Sequence, residues 1–215
     1  MNRETNLRQH MLSVMQSMIT EGLNKGTAGN VSCRCKDHFL ITPSGYPVDQ
    51  LQAEDMVTMD FGGAPLKSGK PSSEWHFHRD ILANRSEVNA VVHCHSPFAT
   101  TLACLHKDVP SFHYMIALTG GDTIRCAPYA LFGTQALSDN ALAALIDRKA
   151  CLLANHGMIA LGCDLEDALA IAIEVEWLCE QYWRSLQIGE PVLLTENEMQ
   201  AVLARFKNYG RQART

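Results

Sequence analysis

The sequence predicts one α/β domain in which a mixed central β-sheet carries helices on both faces. Three observations predict it. The chain has 215 residues and a mass of 23.8 kDa, and folds of this size bury roughly 70% of the surface an extended chain exposes. Short apolar segments of strand length alternate with longer segments of helical period, the pattern of a layered α/β fold. No repeat, linker or low-complexity stretch divides the chain, so residues 1–215 read as a single domain with a mobile tail from about residue 207.

In order, residues 4–23 put Leu7, Met11, Val14, Met15, Met18 and Ile19 on one stripe, an amphipathic helix with methionine as core filler. Gly22 and Gly26 end it. Residues 31–33 and 39–41 form a hairpin across Lys36-Asp37. Thr42-Pro43-Ser44-Gly45 is a turn, residues 56–59 a third strand, and Gly62-Gly63-Ala64-Pro65 a hairpin loop. Ser72 or Ser73 should cap a helix reaching about Ala83, with Glu74 in its first turn. A buried strand covers residues 90–94, and Ser96-Pro97 opens a helix to about Cys104, with proline at the first helical position. Phe112-His113-Tyr114 leads as a connecting loop through Gly120-Gly121 to a short strand near Ile124, and a helix runs from Gly133-Thr134 to about Asp147. Residues 151–154 and 158–160 pair around the turn Asn155-His156-Gly157. Helices over 164–186 and 196–207 finish the chain.

Composition excludes several classes of function. Hydrophobic residues make up 47% of the chain, net charge is −5 and the sequence pI is about 6.0. There is no basic block for nucleic acid to meet; Arg205, Lys207, Arg211 and Arg214 read as a solvated tail. No apolar run approaches the roughly 20 residues of a membrane span. The opening Met-Asn-Arg-Glu-Thr starts a polar helix rather than a secretion signal. The eight cysteines are therefore expected as reduced thiols in a cytoplasm. Cys33-x-Cys35 lacks the second cysteine pair that a zinc site of that kind needs.

The residues that carry chemistry are among nine histidines. Side chains on a strand alternate faces, so His93 and His95 project from the same side of residues 90–95 and form a bidentate nest for a divalent transition metal. Such a site wants a third nitrogen and a carboxylate. His156 and Glu74 are the candidates, with His78 as rival because it stands four residues after Glu74 on the same helix. His76-x-His78 has the spacing of the strand pair, but a helix turns the two side chains apart by about 200°. A second set, Thr27, Gly29, Asn30, Ser44, Gly45, Ser72 and Ser73, lies in three loops rich in Gly, Ser and Thr. Backbone N–H groups at such turns and at a helix start attract anions without a lysine.

Several motifs then point in one direction. Gly26-Thr27-Ala28-Gly29-Asn30, Thr42-Pro43-Ser44-Gly45, Pro71-Ser72-Ser73-Glu74-Trp75, Val91-Val92-His93-Cys94-His95, His113-Tyr114-Met115-Ile116-Ala117, Ala127-Pro128-Tyr129-Ala130-Leu131-Phe132-Gly133-Thr134 and Ala154-Asn155-His156-Gly157 resemble, in order, the class II aldolase/adducin family. The likeness runs from the first helix to Phe206-Lys207-Asn208-Tyr209-Gly210. It implies zinc held by Glu74, His93, His95 and His156, and a substrate phosphate held by Gly29-Asn30, Ser44-Gly45 and Ser72-Ser73, with Thr27 nearby. It also implies a ring-shaped homotetramer with active sites at subunit boundaries. Tyr114, which from spacing alone would be a packing aromatic beside Phe112, matches a catalytic tyrosine from the neighbouring subunit, and Tyr209 one in the mobile tail.

The activity so implied is cleavage of a ketose 1-phosphate, of the L-fuculose 1-phosphate type, to dihydroxyacetone phosphate and an aldehyde. Glu74 would carry the proton on or off the enediolate carbon, and Tyr114 would serve the C4 hydroxyl. Relatives of this kind also cleave 5-deoxyribulose or 5-methylthioribulose 1-phosphate, and others run different sugar-phosphate lyase or epimerase reactions on the same scaffold. Glutamate rather than aspartate at position 74 argues against the pentulose-phosphate 4-epimerases. The intact ligand set argues against a non-catalytic adducin-like domain. Departures at Ser96-Pro97-Phe98, Arg125 and Gly120-Gly121-Asp122 are expected around the aldehyde pocket.

Overall fold

The computed structural model describes residues 3–206; Tyr209 and the tail expected from about residue 207 lie outside them. Among the described residues seven strands form one sheet: β1 (Asn30–Cys35), β2 (His38–Ile41), β3 (Val57–Asp60), β4 (Ala90–Cys94), β5 (Arg125–Ala127), β6 (Ala150–Leu153) and β7 (Gly157–Gly162). Their order is β3-β2-β1-β4-β7-β6-β5. Tight turns join β1 to β2 and β6 to β7, where Lys36 and Asn155 take positive φ, and those pairs are antiparallel. β5 and β6 are parallel because a helical crossover separates them. The sheet is mixed, as the sequence predicts.

Helices α1 (Arg3–Thr20), α3 (Pro97–Ala103), α5 (Leu165–Ile188) and α6 (Glu196–Phe206) contribute to one core, and α2 (Trp75–Asn84) and α4 (Gln135–Ala144) to the core on the other face. β4 shows the division residue by residue. Ala90, Val92 and Cys94 enter the first core and Val91 the second. His93 continues the Val91 face, which brings it toward the start of α2. No described helix is long and apolar enough to cross a membrane, and all eight cysteines are free thiols.

Three local expectations change. Residues 114–119 form a 3-10 helix rather than a connecting loop, with the His113 side chain accepting from Met115 N at its start. Helix α2 is capped at Glu74, not at Ser72 or Ser73. Residues 72–75 first make a turn closed by Trp75 N donating to Ser72 O, and the Ser72 hydroxyl accepts from Glu74 N. Arg125 and the Gly120-Gly121-Asp122 motif serve the scaffold. Arg125 donates to the carbonyls of Ala144 and Ile146 at the end of α4. A Cβ at Gly121 would lie 2.0 Å from Arg148 Cζ, so glycine there lets the guanidinium pass to Asp122, 2.6 Å away.

Candidate active site

Four side chains converge where β4, the β6–β7 turn and the start of α2 meet. The carboxylate of Glu74 and one ring nitrogen each of His93, His95 and His156 lie within 4.8 Å of one another. Each arrives for a local reason. His93 is fully buried on β4, and its Nδ1–H donates to Met158 O of the neighbouring strand at 2.8 Å. That bond turns the Nε2 lone pair inward, the second-sphere arrangement common to metal-binding histidines. His95 stands one residue past the strand end, with its N–H held by Asn24 Oδ1 at 3.1 Å. Asn155, at φ 54°, swings His156 into the group, and His106 braces that turn by donating to Asn155 Oδ1. Gly157 must be glycine, because a Cβ there would lie 2.4 Å from Cys94 O and 3.0 Å from the His95 ring.

The cap position at Glu74 has a chemical consequence. Its backbone, at φ −98° and ψ 15°, precedes the helical turn. The carboxylate therefore meets the histidines instead of lying along α2 beside His78. Glu74 Oε2 is 3.1 Å from His93 Nε2, and Oε1 is 3.1 Å from His156 Nε2. His93 Nε2 and His95 Nε2 are 3.0 Å apart. His78 is not a member of the group; its ring is bonded to Ser32 and Asn30.

Electrostatics point the same way. Burial pushes the Glu74 carboxyl up, but the imidazoles of His93 and His156 outweigh it and hold the group well below the ordinary carboxylate range. Burial opposes a charge on His93 too, and Glu74 overrides it upward. His95 is pushed down to about 4 by burial and by the two other histidines, leaving a neutral imidazole with a lone pair to give. The cluster thus favours positive charge at its centre, which a divalent cation supplies. Glu74 Oε1, buried with no hydrogen bond of its own, fits that reading, as does a donor set of three imidazoles and one carboxylate. A second group, Glu4, Cys35 and His38, also lies within 4.8 Å. There Arg8 and Lys67 already sit on Glu4 and compete with any cation.

The cluster opens into a cavity of about 350 Å³. Thr27, Gly29, Asn30, Ser44, Gly45, Ser72 and Ser73 all line it, beside Glu74, His95 and His156. Two of the three loops are tied together: Ser72 N donates to Thr42 O and Ser44 N to Lys70 O, each at 3.0 Å. Those two amides are thereby spent on the scaffold. Gly45 and Ser73, whose N–H groups meet no backbone carbonyl among the described residues, remain available to an anion. Gly29, at φ 74°, passes over Asn24, whose amide would lie 2.1 Å from a Cβ there. The Asn30 side chain faces Glu74 and His78 rather than the cradle.

Sequence reasoning gave no role to Asn24, Tyr129 or Phe132. The two aromatics line the cavity although both are largely exposed; their signal was apolar rings in a segment bounded by Pro128 and Gly133. Asn24, a single amide between a helix end and a glycine loop, leaves no periodic trace. Tyr114 is 51% exposed and outside this cavity, so the alternative of a core-packing ring beside Phe112 does not hold within the chain.

Residues 9–183 match the family described as class II aldolase and adducin N-terminal domain. The chain belongs to that family. A 5-methylthioribulose-1-phosphate/5-deoxyribulose-1-phosphate aldolase of Rhodospirillum rubrum is 55% identical over 207 residues, covering 96% of this chain and 94% of that one. An L-fuculose phosphate aldolase of Escherichia coli K12 is 45% identical over 205 residues, covering 95% of each. Among solved structures, an L-fuculose 1-phosphate aldolase superimposes with a TM-score of 0.91 at 38% identity, over 94% of this chain and 96% of that one. The protein is a class II aldolase, an aldehyde-lyase of a metal-dependent class, with a His/Glu cluster suited to the metal.

Proposed function

We propose that this aldolase uses zinc to cleave a ketose 1-phosphate between C3 and C4, giving dihydroxyacetone phosphate and an aldehyde. One observation carries the reading: the Glu/His cluster and the glycine- and serine-rich loops share a single cavity, with Glu74 between them. A phosphate at the Gly45 and Ser73 amides, with hydroxyls of Thr27, Ser44, Ser72 and Ser73 around it, puts the dihydroxyacetone end of the substrate against the cluster. Zinc suits the nitrogen-rich set of Glu74, His93, His95 and His156, and would supply Lewis acidity for the charge that builds on the ketose oxygen. Glu74 moves the proton at the enediolate carbon. Tyr114 takes the proton from the C4 hydroxyl in cleavage and returns it in synthesis. The exposure of Tyr114 suits delivery to a neighbouring copy, in the homotetramer that the resemblance implies; a tail contribution from Tyr209 belongs to the same proposal. Eight free thiols suit a reducing cytoplasm.

For the aldehyde half, the rings of Tyr129 and Phe132 offer apolar surface in the cavity wall. That favours an aldehyde half with no further hydroxyl, ending directly in a methyl or methylthiomethyl group, over the hydroxyl-bearing half of a 6-deoxyhexulose. The 55% relative is named for 5-methylthioribulose and 5-deoxyribulose 1-phosphates. The second reading, L-fuculose 1-phosphate, has the 45% relative in its favour. A coupled assay for dihydroxyacetone phosphate over these three ketoses decides between them. The deoxy and methylthio substrates should lead in kcat/KM by about tenfold or more, the scale on which an apolar pocket discriminates. L-fuculose 1-phosphate as the best substrate reverses the order, and no dihydroxyacetone phosphate from any of them overturns the aldolase reading.

A further inference from the structure

We infer that His78 is a positioning residue for Glu74, acting through Asn30; the inference rests on the proton-transfer role proposed for Glu74. His78 is fully buried, yet both of its ring nitrogens are bonded. Asn30 Nδ2 lies 2.9 Å from Glu74 Oε2, Asn30 Oδ1 lies against His78 Nε2, and Ser32 Oγ lies 2.7 Å from His78 Nδ1. The anionic carboxylate sets the direction of the whole row. Glu74 can only accept, so Asn30 presents its NH2 group to it and its oxygen to His78. His78 must then donate from Nε2, and its Nδ1 must accept the Ser32 hydroxyl proton. Burial pushes His78 down to about 3, which keeps the ring neutral, as this row requires.

The row does more than fill a core. An Asn30 amide turned the other way would set its oxygen at 2.9 Å from a carboxylate oxygen, a repulsive contact. The Nε2–H of His78 forbids that turn. One carboxylate oxygen, Oε2, is therefore held by an amide donor, while Oε1 faces His156 Nε2 at 3.1 Å instead. The two oxygens of Glu74 are thus made unequal, and the one that Asn30 holds fixes the orientation in which the carboxylate moves its proton.

The test compares His78→Phe, His78→Gln and Ser32→Ala with the parent, in hydrogen–deuterium exchange into dihydroxyacetone phosphate, a half-reaction that needs no aldehyde. His78→Phe should slow exchange at saturation by about 10- to 100-fold with little change in KM, the usual scale for losing an outer-sphere partner. His78→Gln keeps a donor near the Nε2 position and should recover most of the rate, which a purely structural role would not explain. Ser32→Ala should lose a few-fold. Nitrogen-15 NMR of the parent, with and without zinc and without substrate, should show His78 protonated at Nε2 only across about pH 5–8, where an ordinary histidine titrates. A folded His78→Phe variant with parental exchange overturns the inference, as does a His78 ring protonated at Nδ1. Should His78→Phe fail to fold, the NMR signature and Ser32→Ala decide. A parent protein that exchanges nothing sinks the aldolase reading and leaves the row to be judged by NMR alone.

Discussion

Two His-x-His pairs stand nineteen positions or fewer apart in this chain, one on strand β4 and one in helix α2, and the fold treats them differently. On β4 the two-residue period puts His93 and His95 on one side, with Nε2 atoms 3.0 Å apart. On α2 the same spacing sends His78 inward, where it is fully buried against Ser32 and Asn30. His76 turns toward Trp75 and stacks on it, with ring centroids 3.9 Å apart. The spacing of letters is identical; the backbone period decides which pair converges. Glu74 joins the strand pair although it adjoins the helix, because it sits before the first helical turn.

The largest effect should come from breaking the strand pair. His93→Ala, His95→Ala and His156→Ala should each lose the bound metal and, with it, release of dihydroxyacetone phosphate down to background. Elemental analysis of the purified parent should find roughly one zinc per chain, as a single site of four protein ligands dictates. His93→Ala should be the most damaging, since it also loses the bond from Nδ1 to Met158 O and leaves a void where a fully buried ring stood. If any of the three variants keeps full zinc and full activity, that histidine is not a ligand.

The comparison also explains how much could be read beforehand. The strand pair was legible because period two needs only a few apolar neighbours, and Ala90-Val91-Val92 supplies them. The three anion loops were legible as turns with hydroxyls, and all seven of their named residues reach one cavity. The α2 cap was misplaced by one or two residues. A serine before a glutamate is the ordinary cap signal, and only the contact between residues 42–45 and 70–73 forces the extra turn. Asn24 and the Ser32-His78-Asn30 row depend on residues far apart in the chain. No periodicity announces such contacts. Arg125 and Asp122 were expected near the aldehyde, where departures from a motif draw the eye, yet their charges are used in capping α4 and holding Arg148.

Two variants sharpen the comparison by testing residues that act beside the pair without holding metal. Tyr114→Phe keeps the ring and removes the hydroxyl. Cleavage should fall by about 10²–10⁴, the range for losing a general acid or base, while zinc content and exchange into dihydroxyacetone phosphate persist. Glu74→Gln, by contrast, should lose both reactions. Cleavage by Tyr114→Phe within a few-fold of the parent would remove the tyrosine from the mechanism. Ser73→Ala should be milder. One neutral donor to a charged phosphate contributes roughly 1.5–3 kcal/mol, so KM should rise by about ten- to hundredfold with zinc in place. An unchanged KM would place the phosphate elsewhere.

The smallest effect belongs to His76, and it is the control that the period argument needs. His76 shares the spacing of His93-x-His95, so an explanation by sequence pattern alone would give it a metal. The structure gives it a stacking partner instead, with the His76 and Trp75 rings tilted by 23°. Trp75 keeps other support when His76 is gone: the Arg79 guanidinium lies 4.8 Å from its ring centroid, and Gly63 packs so closely that a Cβ there would be 2.5 Å from the indole. Removing the imidazole should therefore cost about 1 kcal/mol, within the range of a single ring–ring contact. In a chain of this size that lowers Tm by about 2–4 °C. His76→Ala should melt slightly earlier than the parent in a thermal scan while retaining its zinc and its kcat/KM. Loss of zinc from His76→Ala with the fold intact would mean that position 76 reaches the metal after all, and that the strand's period is not what selects the ligands.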